Sequence, residues 1–110
     1  MHNMSFGGWQ ADTGDPENFL GVFFHSANKG GTNWTFYDVP EIDQLLNQAN
    51  EETDTTKRKA LFTQAERKIV DDAPWLFLTH AKHQVGMRKR VKDFQINPTY
   101  FYYFNQVSLG

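Results

Sequence analysis

Two carboxylates lie close together in one short polar run, and a carboxylate pair is the catalytic equipment of many hydrolases. They are Asp12 and Asp15, within QADTGDPEN. Retaining glycosidases need two facing carboxyl groups about 5–5.5 Å apart, and spacing within a loop does not set that distance. Gly14 permits a positive φ and Pro16 fixes its own φ, which are properties of turn residues. A turn is therefore the favoured interpretation, with a catalytic pair as the alternative.

A tryptophan, Trp9, comes shortly before Asp12. Its ring has a flat apolar face and one N–H donor, which suits both burial in a core and stacking on a ligand. The residue types alone favour a core position and leave the wall of a binding pocket as the alternative.

The histidines offer a weak case for a metal site. His80 and His83 have H-x-x-H spacing, but neither an acidic residue nor a third histidine is adjacent. The chain has no cysteine, which excludes disulfides and cysteine-ligated zinc, and the alternating acidic pattern of a calcium loop is absent. No metal and no cofactor are predicted. The two histidines are expected to face solvent or to form hydrogen bonds.

Basic residues cluster in RKRVK, residues 88–92. A nucleic-acid footprint needs a clustered basic face, whereas this run lacks a helical basic face and the whole chain has a formal net charge of -2. An exposed turn is predicted here, and nucleic acid is not expected as a partner.

Two amphipathic helices are the best-defined elements of the chain. The first, over about 40–52, is predicted to begin after Asp38 as N-cap, with Glu41 completing a capping box and Pro40 in the first turn. Its apolar residues recur at helical spacing on one face: Ile42, Leu45, Leu46 and Ala49.

The second helix is predicted over about 55–73, beginning near Asp54 and stopped by Pro74. Its apolar stripe consists of Leu61, Phe62, Ala65, Ile69, Val70 and Ala73. Because only a short TDT link separates the two helices, they are expected to pair as an αα-hairpin.

Apolar runs rich in aromatic residues predict short strands around this hairpin. Strands are expected near 3–10, 75–80, 83–94 and 100–104, while the apolar run 19–24 fits either a helical turn or a buried connector. The predicted fold class is α/β in the broad sense, a mixed α+β arrangement within one domain-sized chain.

The composition predicts a thin core for an independent domain. Among 110 residues, 39% are hydrophobic and 15% are aromatic, so large rings supply much of the burial. No apolar run approaches the roughly 20 residues of a membrane helix. The start MHNMSFGGW lacks the features of a secretory signal.

Four motifs, taken together and in this order, resemble one family. They are W-x-A-D-x-x-D-P from Trp9, a D-x-L-L helix start, D-x-x-x-R before a long helix, and D-A-P-W leading into a predicted strand. From about Gly8 to Phe94 the chain resembles the C-terminal part of the extracytoplasmic solute-binding proteins of ABC importers. Members of this family bind dipeptides, oligopeptides, glutathione or nickel.

The resemblance implies a fragment of a two-lobed periplasmic-binding-protein fold. Family members have two lobes around a ligand cleft, and residues 1–110 would form mainly part of the C-terminal lobe. Residues from about 87–110 would cross back to the N-terminal lobe, and a signal peptide would precede this fragment.

The resemblance also assigns different roles to the two aspartates. Asp12 matches the family aspartate that pairs with the α-amino group of a bound peptide, and Trp9 would line the cleft beside it. Asp15 and Pro16 would hold the loop. Some oligopeptide-binding members carry an arginine where this chain has Phe6, so the partners of the peptide carboxylate would lie outside this chain.

The implied function is non-enzymatic, that of the substrate-binding component of a peptide importer. Its location would be periplasmic or otherwise extracytoplasmic, at the membrane through the permease subunits of the transporter. Self-association of the fragment is also expected. The alternatives are the ligand-sensing domain of a cytoplasmic transcriptional regulator, a receptor for a nickel chelate, haem or a sugar, and a carboxylate-pair hydrolase.

Overall fold

Three helices and one pair of very short strands make up the regular structure of residues 4–110, the part of the chain that a computed structural model describes. Contacts divide the chain into a first unit that ends at Phe77 and a second unit, Leu78–Gly110. The three helices belong to the first unit and the strand pair to the second. No helix in the described part is both long enough and apolar enough to cross a bilayer.

The run for which the sequence left two interpretations open is helical. Helix α1 spans Glu17–Phe24 and follows Pro16, whose φ of -58° already suits a helix. At its C-terminal end the rings of Phe23 and Phe24 are 1% and 3% exposed. A single 3-10 turn, Ser26–Asn28, comes directly after it.

Helix α2 spans Pro40–Glu51, so the predicted helix is confirmed, but its predicted cap is wrong. Val39 occupies the N-cap position and no side chain caps the helix. Asp38 lies one residue further out, and its carboxylate pairs with the ammonium group of Lys29. Pro40 stands at the first helical position as predicted, where its missing N–H removes no helical hydrogen bond.

Helix α3 spans Thr55–Asp72, close to its predicted bounds. The carboxylate of Asp54 accepts the backbone N–H of Lys57 at 2.9 Å, so Asp54 is the N-cap of this helix, which begins where it was predicted to begin. Ala73 is left-handed, with φ 48°, and ends the helix. Pro74 follows directly, and proline disfavours the helical conformation of the residue before it.

The core lies where α1 meets the pair α2 and α3. Its buried apolar residues are Phe23, Phe24, Ile42, Leu46, Ala49, Phe62, Ala65 and Ile69. The predicted stripe of α2 is therefore confirmed, with Leu45 packing at the edge of this core. In α3 the stripe is narrower than predicted, because Val70 is 51% exposed and Ala73 lies outside the helix.

Most of the strand predictions are wrong. Residues 4–10, 75–80 and 100–104 form no strand, and residue 3 lies outside the described residues. The strand pair consists of β1, Val91–Lys92, and β2, Ser108–Leu109, which run antiparallel. High β-propensity describes how well a residue suits a half-buried sheet, and the apolar runs find no partner backbone among the described residues. The result is a small, helix-rich mixed fold.

Candidate functional site

One side chain attaches the loop that carries Trp9 and Asp12 to the first turn of α1. The Oδ1 atom of Asn18 accepts a hydrogen bond from the backbone N–H of Asp12 at 2.9 Å. The same oxygen accepts the indole N–H of Trp9 at 3.4 Å. Trp9 and Asp12 belong to neither a helix nor a strand, so Asn18 ties an irregular loop to a regular element.

The carboxylate of Asp12 faces solvent. The residue is exposed, and within residues 4–110 no lysine, arginine or histidine forms an ion pair with it. The Asn18 contact uses the backbone N–H of Asp12 and leaves its carboxylate oxygens aside. This carboxylate can therefore accept a cation that comes from outside the chain.

Trp9 lies at the boundary between the core and the solvent. Its ring meets the ring of Phe23 edge to face, with centroids 5.1 Å apart and an interplanar angle of 88°. The residue is nevertheless 43% exposed. The core position that the residue types favoured is therefore wrong, because only part of Trp9 packs on the core.

The contact with Phe23 joins Trp9 to a larger aromatic cluster. Phe23 also contacts Trp34 at 5.3 Å and Trp75 at 4.9 Å between centroids. Trp34 and Trp75 are stacked, 5.7 Å apart and 16° from parallel. Trp34 is 49% exposed, so Trp9 and Trp34 are both exposed rings supported by the same buried phenylalanine.

Asp15 has quite different surroundings from Asp12. Its Oδ1 and Oδ2 atoms lie 2.9 Å and 2.8 Å from the Nη2 and Nη1 atoms of Arg58, in a two-pronged ion pair. Oδ1 also accepts the backbone N–H of Glu17 at 2.9 Å, at the start of α1. The hydrogen bond from Arg58 holds the pKa of the Asp15 carboxyl below its ordinary value, and the Glu17 N–H acts in the same direction against the opposing effect of burial.

Arg58 reaches two further elements of the first unit. Its Nε–H donates to the carbonyl oxygen of Ala49 at 3.0 Å, near the end of α2. Its guanidinium lies 4.7 Å above the ring of Phe62 in α3. One side chain thus connects the start of α1, the end of α2 and the first turns of α3.

The loop between α1 and α2 is built around a buried amide. Asn33 is fully buried; its Nδ2 donates to the carbonyl oxygens of His25 at 3.2 Å and Tyr37 at 2.8 Å. Its Oδ1 accepts the backbone N–H of Tyr37 at 3.0 Å. The hydroxyl of Tyr37 in turn donates to Asp72 at 2.6 Å, at the end of α3. Burial, followed by this hydrogen bond, raises the pKa of Tyr37.

In the second unit, His83 takes a hydrogen-bonding role, as predicted. Its ring stacks on Tyr100 with centroids 3.9 Å apart, and its Nε2 atom forms a hydrogen bond with the hydroxyl of Tyr102. Within residues 4–110, no three histidine, aspartate or glutamate side chains converge in a way that could hold a metal ion. The basic run 88–92 contains the predicted exposed turn.

Two of the residues that shape the site were not singled out from the sequence. Arg58 stands in the D-x-x-x-R motif, and Asn18 follows the D-P turn by two residues. Arg58 is partly buried in the structure. The sequence could have indicated this only through the residue type, a long charged side chain at a position of the predicted helix that is partly apolar. For Asn18 the sequence offered none, because its partners precede it in an irregular loop.

Comparison with known proteins places these features in context. No protein-family model matches the chain. The probable D,D-dipeptide-binding periplasmic protein of Escherichia coli (strain K12) is 36% identical over 105 residues, which is 94% of this chain and 20% of the relative. Di/tripeptide-binding protein 1 of Pseudomonas aeruginosa (strain UCBPP-PA14) is 33% identical over 109 residues, 99% of this chain and 20% of the relative. Heme-binding protein A of Haemophilus influenzae is 34% identical over 102 residues, 93% of this chain and 19% of the relative.

These relatives confirm the resemblance that the motifs predicted. The chain is a homologue of the dipeptide- and oligopeptide-binding periplasmic proteins. It spans about a fifth of the length of the relatives it matches. The names of these relatives describe binding proteins rather than enzymes, which is the non-enzymatic class that the motifs indicated.

Proposed function

We propose that the chain forms one side of the ligand cleft in the substrate-binding component of an ABC-type peptide importer. In this proposal Asp12 binds the α-amino group of a dipeptide or oligopeptide. The observation that carries it is the Asp12 carboxylate, which is exposed, has no internal cation among residues 4–110 and is held on a braced loop beside a half-exposed indole. The homology to peptide-binding proteins supports the choice of ligand.

The chemistry of this pairing is favourable. A hydrogen bond to a charged group contributes about 1.5–3 kcal/mol, and an ammonium ion beside a carboxylate forms bonds of this class. A ligand covering Trp9 would exclude water from the pair and lower the local dielectric constant, which strengthens the attraction. Closure of two lobes around the ligand would complete the exclusion of water, and the closed form would engage the permease in the membrane.

The relatives also support the proposed location. One of them is named as a periplasmic protein, and a peptide importer needs its receptor outside the cytoplasmic membrane. We therefore propose a periplasmic or extracytoplasmic location, with the membrane permease as partner.

Haem is the second candidate ligand, because one relative is named for binding it. Haem has no α-amino group, so an exposed carboxylate offers it no specific partner. The hydrolase alternative needs two carboxylates that are available for catalysis, and both oxygens of the Asp15 carboxylate are paired with Arg58. The observations on Asp12 therefore favour an amine.

The test replaces Asp12 by asparagine in the intact receptor and measures binding by calorimetry. Dialanine, with a free N-terminus, and its N-acetylated form are the two probes. We expect Asp12→Asn to weaken binding of dialanine about tenfold or more, the loss that corresponds to about 1.4 kcal/mol. The acetylated probe should bind poorly to both proteins.

The matched control is Asp71→Asn, which removes an exposed carboxylate on α3. It should leave both affinities unchanged. Equal affinity of the unmodified receptor for the free and the acetylated dipeptide would rule out the amine-binding role of Asp12. Tight binding of haem that survives Asp12→Asn would establish the second candidate instead.

A further inference from the structure

We propose that Asn18 is a positioning residue of the ligand site, which fixes the Asp12 carboxylate and the Trp9 ring relative to each other. The proposal rests on the proposed function, because it assigns to Asn18 the task of presenting the amine-binding carboxylate. Asn18 touches no reacting or ligand atom in this scheme and acts only through its two neighbours.

A single acceptor atom, Oδ1 of Asn18, serves two donors. An amide oxygen has two lone pairs, and Oδ1 of Asn18 uses them for the backbone N–H of Asp12 and the indole N–H of Trp9. The bond to Asp12 is made to the main chain. It therefore fixes the origin of the side chain while leaving the carboxylate oxygens for a ligand.

Helix α1, which carries Asn18, is held in place by contacts near both of its ends. Its own backbone N–H donates to the carbonyl oxygen of Asp15 at 3.1 Å, and Asp15 is held by Arg58 of α3. The other end of α1 is fixed by Phe23, which is 1% exposed. The acceptor atom, Oδ1 of Asn18, therefore belongs to a helix that is fixed at both ends.

Trp9 contacts the same helix at two places. Its indole N–H donates to Asn18 in the first turn, and its ring makes a T-shaped contact with the ring of Phe23 in the last turn. Two contacts along α1 determine both the position and the tilt of the indole. A carboxylate and an aromatic face held in a fixed relation suit a ligand that carries a primary ammonium group next to an apolar or flat group.

The consequence for binding is preorganisation. A loop without helix or strand must otherwise be ordered when the ligand arrives, and that ordering lowers affinity. Sites held by a supporting shell of hydrogen bonds avoid this loss. Removing the Asn18 acceptor should therefore weaken binding of the amine without removing any group that touches it.

The test compares two substitutions in the intact receptor. Asn18→Leu has nearly the same shape and no acceptor, whereas Asn18→Asp keeps an oxygen at the same place. We expect Asn18→Leu to weaken binding of dialanine about five- to tenfold, the usual cost of ordering a freed side chain or loop, and Asn18→Asp to retain the affinity. Asn50→Leu, at an exposed position of α2, is the matched control and should have no effect.

Two further readouts separate positioning from general stability. In the Asp12→Asn background, Asn18→Leu should cause a smaller loss of affinity than in the original receptor, because the part of its effect that passes through the Asp12 carboxylate is already gone and only the part that passes through Trp9 remains. Hydrogen exchange at the Asp12 amide should speed up in Asn18→Leu and stay slow in Asn18→Asp. If Asn18→Leu does not fold, the hydrogen-exchange rate of the Asp12 amide in Asn18→Asp still tests the proposal. Fast exchange of that amide would overturn it.

The other outcomes are equally decisive. An unchanged affinity in a folded Asn18→Leu protein overturns the positioning role while leaving the amine-binding role of Asp12 intact. Equal losses from Asn18→Leu in both backgrounds would show a purely structural residue and overturn the proposal. A neutral Asp12→Asn overturns the proposed function, and with it the task assigned to Asn18.

Discussion

Asp15 and Arg58 are 43 residues apart in the sequence, and each oxygen of the Asp15 carboxylate faces one terminal nitrogen of the guanidinium. Such two-pronged pairs are stronger and geometrically more specific than single charged hydrogen bonds. This pair fixes the start of α1 against α3, and α1 carries Asn18. The loop with Trp9 and Asp12 therefore depends on an ion pair between two residues that form no hydrogen bond or ion pair with Trp9 or Asp12 among the described contacts.

Replacing Arg58 by methionine should lower the free energy of unfolding of the chain, because it removes a two-pronged ion pair. The substitution removes the ion pair and leaves the carbonyl oxygen of Ala49 without its Nε–H donor. The ion pair is partly exposed to solvent, which keeps the loss below that of a fully buried pair. Urea unfolding followed by tryptophan fluorescence measures it.

Two variants test the role of the guanidinium fork in this loss. Lys59→Met removes an exposed positive charge from the same helix and should change the stability little. Arg58→Lys keeps the charge but cannot form the planar two-pronged pair, so it should recover only part of the loss. A lysine variant as stable as the original protein would show that charge alone matters.

Acid should abolish the contribution of the Asp15 carboxylate. Its pKa is lowered in the folded state by the hydrogen bond from Arg58, so its stabilising effect is present above the unfolded-state pKa of about 4. The effect is lost as the pH falls through the lower, folded-state pKa. Urea midpoints of the original protein and of Asp15→Asn should therefore differ at pH 7 and converge in strong acid. A difference that stays constant with pH would contradict this.

Tyr37 should ionise only at a pH above the ordinary value for tyrosine, about 10, because its pKa is raised by burial and by its hydrogen bond to Asp72. Because the pKa of Tyr37 is raised in the folded state, the neutral hydroxyl contributes its full stabilisation below the unfolded-state pKa of about 10. This stabilisation is lost as the pH rises through the higher, folded-state pKa. Tyrosinate absorbance during an alkaline titration should include a late component that Tyr37→Phe removes.

The contribution of Asp72 to this shift can be isolated. Asp72→Asn should bring the late component to lower pH without restoring the ordinary value, because burial is the larger cause. Asp71→Asn alters the neighbouring exposed residue and should leave the titration as it was.

Replacing Asn33 by leucine should destabilise the first unit by about 2–4 kcal/mol. The leucine would leave two carbonyl oxygens and the backbone N–H of Tyr37 without their partner in a buried place. Asn50→Leu makes the same chemical change at an exposed site and is the control. Equal urea midpoints for the two leucine variants would show that the loop does not need the amide.

The 110-residue chain should associate with itself as its concentration rises. Several large apolar residues of the first unit are about half exposed or more, including Trp34 at 49%, Phe36 at 64% and Leu76 at 83%. Exposed apolar surface of this kind favours contact with other surfaces. Sedimentation equilibrium over a range of concentrations measures it, and a monomer at every concentration would contradict the expectation.

The helices could be predicted because their determinants are local. Asp54 directly precedes α3 and caps it by accepting a backbone N–H of the first turn. The spacing of Ile42, Leu46 and Ala49 is enough to specify the buried face of α2. Asp38 shows the limit of this reasoning, because the competing Lys29 ammonium comes from another part of the chain. A local sequence pattern contains no information on a partner such as Lys29, which comes close to Asp38 only in the folded chain.

The strands and the construction of the site could not be predicted for the same physical reason. A strand needs a second backbone at the right distance, so the β-propensity of WLFLTH or YFYYF could not show whether one is present. The motifs singled out Asp12 and Trp9 as candidate ligand-binding residues through resemblance alone. The supports of these residues are geometric, since Asn18 and Arg58 act through atoms that meet only after α1 and α3 have packed.

The buried amide of Asn33 also determines how the chain tolerates insertions and deletions. Surface loops usually accept added residues. In this loop, however, the side chain of Asn33 bonds the main chain of both His25 and Tyr37, which fixes the distance between them. One residue added between Asn33 and Tyr37 would break these hydrogen bonds and leave the buried amide of Asn33 without its partners. The connection between α1 and α2 is therefore expected to have a fixed length, in contrast to ordinary surface loops.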